Sequence, residues 1–249
     1  MRTQPARLLV VLLLPALLLA LGGCADLRAQ VAGAADAPAS GAAEAPDVLT
    51  TSEWAVTDGL LSVLVRNEED RTLRTAEVTL EAFDRDDVSL GTWSASAMVG
   101  QDACCTVTDL APGEIYGLYF PVGVDVGEVA AVDLDYRDVA WQPAATDQDS
   151  STASATGLAS DLNASRTVVN ADLTVGSADI PQALVQAILR GVDGQLVAVV
   201  TGVWTCLTAF EVRPIEMQLF QGVPEGTVVD SITVRPLDPS TSPVAPTCG

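Results

Sequence analysis

The chain has 249 residues, with 12 cationic side chains against 33 carboxylates, a net charge of −21, and neither histidine nor lysine. So acidic a surface repels nucleic acid and anionic headgroups, which excludes nucleic-acid binding. Without His or Lys there is no imidazole base, no imidazole metal ligand and no Schiff-base amine; a carboxylate pair of the glycosidase kind is still open to the chain, but no particular pair stands out among so many acids.

Arg2 and Arg7 open the chain, the apolar run Leu8 to Leu21 follows, and Gly22-Gly23-Cys24 comes next. A charged start, a short apolar core and small residues before a cut are the layout of a secretory signal. The run is shorter than the roughly 20 residues that a membrane-spanning helix needs, so it reads as a signal over residues 1–23 and not as a permanent anchor. Leu21-Gly22-Gly23-Cys24 resembles the lipobox of bacterial lipoproteins, with Gly22 where Ala or Ser is commoner. The resemblance implies cleavage before Cys24, a diacylglycerol on its thiol, further acylation of its amine, and an extracytoplasmic chain held to the cell membrane or outer membrane. Two or three acyl chains give stable anchoring where one is marginal. Ala25 after the cysteine leaves the choice of membrane open. The alternative is an ordinary signal peptide with an incidental cysteine.

Residues 24–49 are dominated by Ala with Pro38, Gly41 and Pro46, and read as a flexible stalk. The expected class beyond is all-β: two tandem immunoglobulin-like β-sandwich domains over 50–142 and 166–249, joined by a Ser/Thr/Ala/Asp linker over 143–165. Val78, Leu80 and Ala82 alternate with Glu77, Thr79 and Glu81, and Val132, Leu134 and Tyr136 with Asp133, Asp135 and Arg137. Period two with one wet face marks strands of a half-buried antiparallel sheet. Leu60–Arg66, Leu90–Ala97 and Ile115–Phe120 are further strands. The second block has Thr167–Val175, Ala183–Arg190, Gln195–Val203, Ile215–Phe220 and Val228–Arg235. Pro181–Leu189 carries a faint helical period, but its β-branched flanks and the Val192-Asp193-Gly194 turn favour a strand.

The blocks line up with each other. Asp84-Arg85-Asp86-Asp87 corresponds to Gly191-Val192-Asp193-Gly194, both read as hairpin turns. Leu110-Ala111-Pro112-Gly113-Glu114 matches Val212-Arg213-Pro214-Ile215-Glu216 at a spacing of 102, which also lays Cys104 on Cys206. An internal duplication is the economical reading.

Leu80-Glu81-Ala82-Phe83-Asp84, a polar turn, and then Leu110-Ala111-Pro112-Gly113-Glu114 before an aromatic strand resemble the FxLYD-type domains of bacterial envelope lipoproteins. Leu80 stands where Phe is typical, and the second block keeps only the turn and Pro214. The resemblance covers residues 58–137 and implies a small immunoglobulin-like sandwich in the envelope, with no catalytic residues to carry over.

With Cys24 lipidated, Cys104, Cys105, Cys206 and Cys248 remain, and outside the cytoplasm an even set is expected to oxidise. Cys206 with Cys248 is preferred, since the other two pairings cross-link the domains; a redox or metal role for the vicinal Cys104-Cys105 is the sharper alternative. Asp84, Asp86 and Asp87 in one turn could seat calcium weakly, but a solvated hairpin tip is the preferred reading. Trp141, Tyr116 and Tyr119 are candidate interface aromatics set against a core role, as is usual for the large aromatics of small sandwiches. No cofactor, resident metal or small-molecule substrate is implied. The expected function is a membrane-anchored, non-enzymatic binding or spacer module; a structural subunit docked on an envelope protein partner and a carboxylate-based hydrolase are the alternatives.

Overall fold

The computed structural model describes residues 48–95, 106–123, 128–144, 151–161, 166–237 and 248. Asp47–Gly249 forms one compact unit. Its described residues are all-β: thirteen strands, antiparallel wherever they pair, and no helix. They are β1 (Thr50–Thr57), β2 (Leu60–Arg66), β3 (Arg71–Phe83), β4 (Ser89–Ala95), β5 (Val107–Leu110), β6 (Ile115–Pro121), β7 (Ala131–Pro143), β8 (Thr152–Asp161), β9 (Arg166–Thr174), β10 (Ile180–Arg190), β11 (Leu196–Leu207), β12 (Val212–Leu219) and β13 (Val228–Pro236). The Pro181–Leu189 stretch is strand, as its flanks indicate.

The order of strand pairing recurs in the two halves of the unit. In the first half, sheet β1-β2-β6 faces a sheet in which β3 pairs with β4, β5 and β7; in the second, sheet β8-β9-β12 faces sheet β11-β10-β13. Each half therefore encloses its own core. Leu61, Val63, Val65, Val78, Leu80, Tyr116, Leu118 and Phe120 belong to the first. Val169, Leu173, Val185, Leu189, Val200 and Met217 belong to the second.

The halves are stacked upon each other. Along β2, Leu61, Val63 and Val65 point into the first core, while Leu60 and Leu64 on the other face belong to clusters shared with the second half. Strand β10 behaves alike: Val185 and Leu189 face the second core, and Gln186 and Ile188 face the first half. Leu64, Ile188, Leu196 and Val199 form the apolar centre of this seam. Gly117 allows the close approach, since a Cβ there would stand 2.5 Å from Cγ1 of Val199. Strands buried on both faces read as unbroken apolar runs, and Leu60–Val65 is one apart from Ser62. Within the stretch expected as a linker, 143–165, Thr152–Asp161 is strand β8, paired with β9 along its length.

For the turn that ends at Glu114 the expected spacing of 102 is corrected to 97. Ala111–Glu114 and Thr208–Glu211 are the equivalent turns: Glu114 and Glu211 each donate their backbone N–H to the carbonyl three residues back, and their carboxylates accept the N–H of Ala111 and of Thr208 at 3.0 Å. The left-handed residues coincide at this offset, Asp109 with Cys206 (φ 45° and 55°) and Gly113 with Phe210 (φ 74° and 62°). The turn needs a glutamate that reaches back and a residue tolerating positive φ, not a proline. Pro214 accordingly sits inside β12, opposite Asp172, and Cys206 aligns with Asp109 instead of Cys104. The Asp84–Asp87 and Gly191–Gly194 turns do correspond, closed by 3.0 Å bonds from Asp84 N–H to Val88 and from Gly191 N–H to Gln195.

Candidate interaction surfaces

Cys24, Cys104 and Cys105 lie outside the described residues. Cys206 is bonded to Cys248 with Cα atoms 5.3 Å apart and a sequence separation of 42. This is the preferred pairing, and it ties the chain terminus to the end of β11. Closing a loop of that length restricts the unfolded chain by about 4 kcal/mol in the chain-entropy account. In the Asp84 turn, Oδ1 of Asp84 accepts the N–H groups of Asp86 and Val88 at 2.9 Å each, so that oxygen is committed to its own loop. Among the described residues no three carboxylates or cysteines converge as metal ligands would.

The three aromatics part company. Tyr116 is fully buried in the first core, its hydroxyl donating to the Thr106 carbonyl at 2.9 Å, and burial pushes that hydroxyl far above its usual pKa. It is a core residue with no surface to offer a partner. Tyr119 points into the seam, where burial also raises its hydroxyl pKa despite a hydrogen bond with Thr201. Trp141 is half-buried in β7 and packs on the first core, with the Arg71 guanidinium 4.8 Å above its ring.

Among the described residues two ion pairs span the seam, and neither is marked by sequence spacing. Arg190 grips Glu53 through both carboxylate oxygens at 2.7 and 2.9 Å, and also reaches Asp230 at 3.2 Å and the Gly194 carbonyl at 2.8 Å. Two parallel N–H···O bonds fix orientation as well as supplying attraction. The bond to Arg190 holds the Glu53 carboxyl below the ordinary glutamate value, and the same contact raises the pKa of Arg190. The second pair is Arg235 with Glu114 at 3.1 Å. Arg235 is only 6% exposed and lies over the Tyr116 ring at 5.1 Å, so removing Glu114 would strand a buried charge. Between them Gln186 accepts the Gly117 N–H at 3.3 Å and donates to its carbonyl at 2.7 Å, satisfying the backbone edge of β6 as a neighbouring strand would.

The outer surface offers two features. Phe210, at the tip of the Thr208–Glu211 turn, is 76% exposed, and Phe220 and Val192 also stand out in solvent. On the first half, β7 has a single hydrogen-bonded neighbour among the described strands, β3, leaving its other edge open over 13 residues. The outward face there is acidic: Asp133 lies directly opposite Glu81, and Asp135 and Arg137 continue the row. Like charges directly opposite on a sheet repel, so the row is more at ease with a cation beside it. Compared with known proteins, the chain matches no family model, and no curated protein matches it either.

Proposed function

We propose that the chain is an extracytoplasmic lipoprotein, anchored by lipid on Cys24, whose two halves act as a non-enzymatic binding or spacer module. Each half is read as a small immunoglobulin-like sandwich. The observation that carries the reading is the buried seam. Two strands covered on both faces and two bridging ion pairs make the halves one stiff body, as a platform or spacer needs. Anchoring rests on Leu21-Gly22-Gly23-Cys24, and the missing imidazole and amine chemistry supports a role without catalysis.

A second reading, a structural subunit of a cell-envelope complex, is favoured by Phe210. A large aromatic held at φ 62° and 76% exposed contributes little to its own fold and suits a partner's apolar pocket. Growth of cells with labelled palmitate tests the anchor: label is expected on the wild-type chain and none on Cys24→Ser, which leaves the membrane fraction. An unlabelled wild-type chain, or a variant equally membrane-bound, overturns the reading.

A further inference from the structure

Strands β4 and β5 of the first half approach β6, so β7 and β1 share the opposite side of the sandwich. In the second half the matching strands, β13 and β8, close upon each other; in the first, β1 packs instead against β11, and among the described residues no such closure joins β1 to β7. The burial shows it. Val132, Leu134 and Tyr136 face the core yet are only half-buried, whereas their direct partners Ala82, Leu80 and Val78 are sealed. Across the gap Trp54 is half-buried, and Val56, on the core-facing side of β1, is 40% exposed. A strand edge with no second ladder partner among the described residues, set over an apolar rim, has the dimensions that an added strand would fill. Asp138, at φ 50°, breaks the regular pairing and sets the usable length at Ala131–Arg137, a typical strand.

We propose that this edge takes up an extended segment of a partner protein in which apolar residues alternate with Lys or Arg. The added strand gains main-chain hydrogen bonds from β7. Its apolar side chains cover Trp54, Val56, Val132, Leu134 and Tyr136, and its cations lie beside Asp133 and Asp135 on the wet face. Asp135 already meets Arg137 at 3.2 Å, but an exposed pair of that kind is worth under about 1 kcal/mol and yields to a better-placed cation. Asp133 faces only Glu81 across the ladder, so its charge is the stronger determinant of partner choice. The alternation is what separates this site from general attraction to an acidic protein.

The proposal rests on the binding-module reading, but its test leaves the anchor aside, so failure of either experiment does not bear on the other. The full chain in non-ionic detergent is titrated calorimetrically with a nine-residue peptide of alternating Val and Lys. Controls are the same residues in block order and an alternating Val/Glu peptide. The alternating basic peptide is expected to bind about tenfold or more tighter than the block peptide. The double variant Asp133→Lys, Asp135→Lys is expected to lose it and take the Val/Glu peptide instead. Equal binding of block and alternating peptides, or an unchanged preference in the variant, overturns the proposal. Should the variant fail to fold, hydrogen exchange on the wild-type chain decides: the amides of Ala131–Arg137 slow on adding the basic peptide if the proposal holds, and unchanged rates there refute it.

Discussion

Phe210 occupies a backbone position that its counterpart, Gly113, fills without a side chain, at φ 62° against 74°. A bulky L-residue in the left-handed region carries about 1 to 2 kcal/mol of strain, partly offset by the greater freedom that glycine loses on folding. The turn nonetheless holds it there: Phe210 N–H donates to the Gly176 carbonyl at 2.9 Å and Ala209 N–H to Asp179 at 2.8 Å. Phe210→Gly is therefore expected to stabilise the protein by about 1 kcal/mol, read as a higher urea midpoint with unchanged slope. A lower midpoint would mean that the ring packs usefully despite its exposure. At this scale the sequence speaks clearly where chemistry is local. The Asp84 and Gly191 turns follow from their own residues, whereas Pro112 and Pro214 suggested a spacing that backbone conformation does not support.

Among the elements, sequence alternation tracked β3 and β7 because each lays one face on a core. Strands β1, β5 and β8 had no such signal. The residues Thr152–Asp161 are rich in Ala, Ser and Thr and read as linker, yet β9 supplies the pairing that makes them strand. The bridge from β1 to β10 was equally hidden, because Glu53 and Arg190 are 137 residues apart. That bridge has a measurable consequence. The folded state holds the Glu53 carboxyl below its ordinary value of 4.5, so the unfolded chain takes up this proton first as pH falls. The contribution is complete above that value and is lost as pH drops through the folded pKa. Glu53→Gln is expected to weaken the protein at pH 7 and to shrink the difference from wild type below pH 4.5, measured by urea midpoints between pH 7 and 3. A difference that stays constant over this range would remove Glu53 from the account.

For the molecule as a whole, two cores were legible and their union was not. Apart from Ser62 and Gln186, Leu60–Val65 and Ala183–Leu189 are apolar on both sides of each strand, which calls for a second covering layer, but the sequence does not say which surface provides it. The answer is the other half, joined through Gly117 against Val199 and through Gln186 on the edge of β6. A methyl group at Gly117 would press into the seam and leave both cores untouched, so Gly117→Ala is expected to cost about 1 to 3 kcal/mol. Scanning calorimetry of the wild-type chain beside this variant asks whether the two halves unfold as one. A single transition in the wild type, with calorimetric and van't Hoff enthalpies in agreement and its midpoint lowered by Gly117→Ala, is the expected result. Two separate wild-type transitions, with Gly117→Ala shifting neither, would contradict it.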